Sequence, residues 1–102
     1  MLTIRAVAQA VGGQIIGEPA DDQPFTSVVV DSRQVTPGAL FVALKGQKHD
    51  GHQFLLDAFV KGALAALVER QPEDAALLAG RQPPPLIKVE DTMAALQRLA
   101  HW

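Results

Sequence analysis

Apolar positions recur along the chain with two different periods, and the changes of period mark its elements. Ile4, Val7, Ala8 and Val11 fall at helical spacing behind Thr3, whose hydroxyl can accept a backbone N–H and start the helix. Gly12-Gly13 predicts its end, since glycine tolerates the left-handed backbone that closes helices. Residues 14–17 read as a short strand, and residues 18–23, with three acids and a proline, as a solvated loop. Residues 25–30 are β-branched and almost continuously apolar, the pattern of a central strand buried on both faces. Thr36-Pro37-Gly38 is a turn in which proline presets φ and glycine supplies a positive one. A second central strand follows at residues 39–44 (Ala-Leu-Phe-Val-Ala-Leu).

Asp50-Gly51 marks another turn and opens a helix over about 52–61. Gln53, Asp57 and Lys61 form one narrow polar stripe on it, and Phe54, Leu55, Leu56, Ala58, Phe59 and Val60 cover most of the remaining circumference. Such a helix is expected to be covered on more than one side, inside this domain or by another domain or subunit. Its apolar surface also predicts that the isolated chain self-associates. Gly62 ends this helix and residues 65–69 read as a strand. Residues 71–85 form a connector containing prolines and alanines, with one helical turn expected near 75–78. Residues 86–90 are the last strand, and Asp91 can cap a helix with Met93, Leu96, Leu99 and Ala100 on its apolar stripe and Gln97, Arg98 and His101 opposite. The helical pattern runs to Trp102 without a stop signal, which reads as an interrupted helix rather than a natural terminus. Strands alternating with helices predict an α/β fold: one layered domain with a mixed, partly parallel sheet flanked by helices.

Composition narrows the function classes. At 102 residues the chain fits one domain with a core of its own. Zero cysteines exclude disulfide scaffolds, thiolate metal sites and cysteine nucleophiles. Nine Lys and Arg against eleven Asp and Glu give a net charge of −2, a poor match to a general nucleic-acid binder. No apolar run has the length of a membrane helix, and the first residues lack the pattern of a secretory signal, so a cytoplasmic domain is expected.

Several catalytic signatures are absent: G-x-x-x-x-G-K-[ST], G-x-G-x-x-G after a strand, and G-x-S-x-G. Ser27 and Ser32 are the only serines, and no Ser–His–acid order stands out. No catalytic residue and no cofactor are expected in these residues. Two segments are richer in polar groups than structure alone demands. Asp31-Ser32-Arg33 follows a strand of an α/β sheet, where ligands tend to bind, and could read a base edge and a phosphate. Its bland alternative is a turn closed by local hydrogen bonds. Lys45-Gly46-Gln47-Lys48-His49-Asp50-Gly51-His52 packs two lysines and two histidines behind the second central strand, with glycines that let backbone N–H groups approach an anion. A phosphate or diphosphate at the start of the following helix is its natural partner, and an exposed charged turn is the alternative. His49-x-x-His52 around Asp50 lacks the further ligands that zinc requires, so no metal site is expected.

Read together, D-S-R-x-V-x-P-G-x-L-F-V-A-L-K-G-x-x-x-D-G-H-x-F from Asp31 to Phe54, followed by Ala58, Gly62-Ala63, Ala65 and Val68, resembles the amino-terminal domain of the Mur ligases. The match is dense over about 28–69 and looser in the flanks; His49 stands where an aromatic residue is common. Leu44-Lys45-Gly46 and Asp50-Gly51-His52 with Phe54 resemble the type that adds D-alanyl-D-alanine more than the type that adds the third peptide residue. The resemblance implies a domain that holds the uridine diphosphate end of UDP-N-acetylmuramoyl-tripeptide, with ATP, magnesium and the ligation chemistry on a central domain and a third domain for the dipeptide. The reading of the residues and the resemblance meet at the same two loops, and together they make Ser32, Arg33, Lys45, Gln47, Lys48 and His49 the expected substrate contacts. Asp31 is expected to be structural, since a buried carboxylate beside a diphosphate would repel it. A ligase domain of the other specificity and a separate uridine-nucleotide sensor are the alternatives.

Overall fold

Thr3 Oγ1 accepts the Ala6 N–H at 3.2 Å and starts helix α1, Ile4–Val11, as its position predicts. Gly12 ends it in the left-handed conformation (φ 68°). The computed structural model describes residues 3–17, 24–44, 54–69 and 85–100. Within them lie strands β1 (Gln14–Ile16), β2 (Val28–Val29), β3 (Leu40–Val42), β4 (Ala65–Val68) and β5 (Leu86–Lys88), and helices α2 (Leu55–Val60) and α3 (Thr92–Ala100). The expected loop at 18–23 and the connector beyond Glu69 lie outside the described residues.

The five strands form one mixed sheet in the order β1-β5-β4-β3-β2. The β2–β3, β3–β4 and β4–β5 pairs are parallel, and β1 runs antiparallel to β5. Alternate side chains of the inner strands enter two separate cores. Leu40, Val42, Ala65, Leu67 and Ile87 pack with Ile4, Val7, Ala8 and Val11 of α1 and Ala95 of α3. Ala39, Phe41, Ala43, Ala66 and Val68 pack with Leu55 and Ala58 of α2 and with Val35. The sheet is thus covered on both faces, which is why β3 and β4 read as continuous apolar runs.

Three expectations need correction. The strand expected over 25–30 is the two-residue β2, at the edge of the sheet rather than its centre; Val28 and Val29 are half-buried and Val30 is exposed. An edge strand has a neighbour on one side only, so its apolar run has less to bury against. Helix α2 is not enclosed by this domain: Leu55 and Ala58 are buried, while Phe54, Leu56 and Val60 are exposed, which leaves cover by another domain or subunit as the standing alternative. On α3, Met93 is exposed, and the inward face is made by Thr92, Ala95, Leu96 and Leu99. Thr92 is buried because Glu69 Oε2 takes both its backbone N–H (3.0 Å) and its hydroxyl (3.2 Å). Asp91 caps the same helix as expected, accepting the Ala94 N–H at 3.1 Å.

Candidate functional site

Because β2 and β3 are parallel neighbours, the chain leaves both at one edge of the sheet, the placement at which open α/β sheets bind ligands. Asp31-Ser32-Arg33 occupies that edge behind β2. The Lys45–His52 segment, with the expected contacts Lys45, Gln47, Lys48 and His49, follows β3 and lies outside the described residues.

Asp31 sits in extended backbone and caps a single 3-10 turn, Ser32–Gln34, by accepting the Arg33 N–H at 2.9 Å. The Arg33 guanidinium folds back on the same carboxylate, with Nη2 to Oδ2 at 2.8 Å and Nε to the two oxygens at 3.1 and 3.2 Å. Hydrogen bonds from the Arg33 side chain, and then its backbone, hold the Asp31 carboxyl down to about 2. Asp31 is not the buried carboxylate expected from sequence: its side chain is 31% exposed, and it is neutralised by its neighbour instead of by burial. Arg33 remains 84% exposed and can still meet a ligand.

Ser32 faces the other way. The residue is buried, on the side of Asp57 of α2, whose carboxyl it helps to hold low. Its carbonyl accepts from Lys61 Nζ at 3.2 Å, and Lys61 also pairs with Asp57 at 3.1 Å, one helical turn back. Asp57 is held below the ordinary carboxylate range, first by Lys61 and then by Ser32. Lys61 and Asp57 were visible in the sequence only as a polar stripe; their partner lies 29 positions from Lys61, which no local pattern reveals.

The two ion pairs, Asp31–Arg33 and Asp57–Lys61, are each neutral. An anion here therefore needs added positive charge, and Lys45 and Lys48 are the nearest source along the chain. Helix α2 does not supply it: it has six residues, no side-chain cap, and Asp57 in its first turn. A second recess between the end of α1 and the start of α3 is lined by Glu90, Asp91 and Arg98, and Arg98 Nη1 is committed to the Val11 carbonyl at 3.2 Å. Two carboxylates there disfavour a phosphate. Among the described residues no group of three or more His, Cys, Asp or Glu side chains could hold a metal ion; His49, Asp50 and His52 lie outside them.

Comparison with known proteins agrees with this architecture. Residues 24–101 match the Mur ligase family, catalytic domain. The chain is 38% identical over 101 residues to the UDP-N-acetylmuramoyl-tripeptide–D-alanyl-D-alanine ligase of Escherichia coli (strain K12), covering 99% of this chain and 20% of that protein. It is 42% identical over 87 residues to the UDP-N-acetylmuramyl-tripeptide synthetase of Roseiflexus sp. (strain RS-1), covering 81% of this chain and 16% of that protein. The crystal structure of MurF from Acinetobacter baumannii superposes with a TM-score of 0.79 at 28% identity, covering 96% of this chain and 20% of that one. The chain spans about a fifth or less of the length of these relatives. On sequence and fold together, the chain belongs to the Mur ligase family, as an amino-terminal domain of the kind found in MurF.

Proposed function

We propose that this chain is the substrate-anchoring domain of an ATP-dependent amide ligase of peptidoglycan precursor synthesis. It holds the UDP end of UDP-N-acetylmuramoyl-tripeptide, in the cytoplasm, while D-alanyl-D-alanine is added. The match over nearly all of this chain, though a fifth of the relative, to a ligase of that specificity supports the reading. The ligand contacts are Arg33, exposed on the turn behind β2, and Lys45, Gln47, Lys48 and His49 behind β3. Ser32 joins them once a ligand uncovers it from its buried place in the same turn. ATP and magnesium act in other domains of the intact enzyme, because these residues contain no phosphate-binding loop of the G-x-x-x-x-G-K-[ST] type. Anchoring a remote handle contributes to rate by orienting the distant peptide carboxyl, with no chemistry at the handle. The 42% identity to a tripeptide synthetase favours a second reading, in which the same domain serves addition of the third peptide residue.

The two loops make a binding prediction. UDP binds the chain better than uridine does, weakly, with Kd on the order of 0.1 to 1 mM, or roughly 4 to 5.5 kcal/mol. Lys45→Ala costs about 1 to 2 kcal/mol against UDP and almost nothing against uridine, as a charged hydrogen bond requires. Added salt narrows the UDP advantage. An amide-shift titration reads all three; equal shifts from UDP and uridine, with no response from residues 45–52, overturn the assignment.

A further inference from the structure

The geometry points to Lys61 as a positioning residue for nucleotide binding, acting through the peptide that joins Ser32 to Arg33; this rests on the function proposed above. That peptide is gripped at both ends by charged groups. Its carbonyl accepts from Lys61 Nζ at 3.2 Å, and its N–H donates to Asp31 Oδ1 at 2.9 Å. The Val35 N–H also reaches the carbonyl, but at 3.4 Å, so the ammonium is the closer of the two donors. The orientation of this one peptide sets where the Ser32 hydroxyl and the Arg33 side chain leave the backbone.

Lys61 is itself fixed. Its N–H donates to the Asp57 carbonyl at 3.1 Å, and its ammonium meets the Asp57 carboxylate at 3.1 Å. The next residue, Gly62, offers its carbonyl to the Gly38 N–H at 2.9 Å and turns at φ 107° against Pro37. The ammonium therefore projects from a framed helix end onto a turn 29 positions earlier in the chain. Without it the Ser32–Arg33 peptide keeps the Asp31 hold and the long Val35 bond, so it is held less tightly and Arg33 samples more directions before a ligand arrives. Pre-ordering of this kind contributes to affinity without contact to the ligand.

The test is UDP titration followed by amide shifts in the parent protein, Lys61→Ala, Lys61→Arg, the double variant Ser32→Ala/Arg33→Ala, and that double variant carrying Lys61→Ala. Lys61→Ala binds UDP roughly threefold more weakly, the scale set by a partly exposed charged contact. Lys61→Arg, which keeps a donor and the charge, binds close to the parent. In the Ser32→Ala/Arg33→Ala background, Lys61→Ala has no further effect, because the groups it positions are gone. The free Lys61→Ala protein also shows a displaced Arg33 amide resonance. A parent-like Kd for Lys61→Ala overturns the inference and leaves the UDP site standing. The same threefold loss in the double-variant background overturns it too, since Lys61 would then attract the diphosphate directly. Absence of UDP binding by the parent overturns both this inference and the function on which it rests.

Discussion

Asp31, Ser32 and Arg33 are adjacent in sequence, yet the fold gives them opposite surroundings. Asp31 and Arg33 close on one another at the surface, while Ser32 turns inward to α2. The Asp31 carboxyl is held at about 2, below its ordinary 3.8, so its pairing with Arg33 favours the folded state fully above the ordinary value. The benefit fades as pH falls through about 2, where the folded-state carboxyl takes up its proton. A carbon-detected NMR titration should place the Asp31 midpoint near 2, and Arg33→Ala should return it toward 3.8. A midpoint that does not move on removing Arg33 would show that another group depresses it. Polar residues behind a strand were legible as a candidate site because local spacing carries that signal. Which of them faces a ligand was not, because Asp57 and Lys61 reach Ser32 from a distant helix.

Elements were legible wherever a start or stop is made locally. Thr3 and Gly12 bound α1, Asp91 caps α3, and Gly38 and Gly62 take the positive φ their turns need. Gly62 is the most constrained of these turns toward its neighbours' backbone. A Cβ there would lie 2.9 Å from Pro37 Cα, and its φ of 107° is one that side chains rarely adopt. Gly62→Ala should destabilise the protein by about 1 to 3 kcal/mol, the cost of a strained backbone conformation. Chemical denaturation reads this directly, and an unchanged midpoint would mean that the turn relaxes around the added methyl. What the sequence could not reveal is position within the sheet. Residues 28–30 are as β-branched as an inner strand, but β2 is placed at the edge by the order of crossovers. The apolar circumference of α2 likewise says nothing about which side meets the sheet, and Phe54, Leu56 and Val60 stay exposed.

At the scale of the molecule, the parallel pairs β2–β3, β3–β4 and β4–β5 bring the carboxyl ends of four strands to one edge. This gathers polar segments from separate parts of the chain: Asp31 behind β2, Glu69 behind β4, and Glu90 and Asp91 behind β5. The layered, mixed α/β architecture was legible from alternating element types, since each crossover announces itself by its length. The division of labour in the proposed enzyme has a consequence at this scale. The chain alone should not hydrolyse ATP above the rate in buffer, with or without UDP, because no phosphate-binding loop occurs in its sequence. A phosphate-release assay on protein freed of contaminating enzymes checks this, and hydrolysis that co-purifies with the chain would refute the assignment of the chemistry to other domains.

The place of β5 has a consequence for how the molecule is made. It lies between β4 and β1, and α3, which follows it, reaches back through Arg98 to Val11, 87 positions earlier. A ribosome releases α1 and β1 long before the strand they must join exists. Until residues 86–88 emerge, β1 has no partner in the sheet and the α1 face of the core stays open to water. A nascent chain can assemble the β2–β3–β4 half early, but closure waits for residues 86–100, and long-range pairing of this kind is slow. Chains stalled before that point would expose an unfinished strand edge and half a core, the features that chaperones bind and proteases cut.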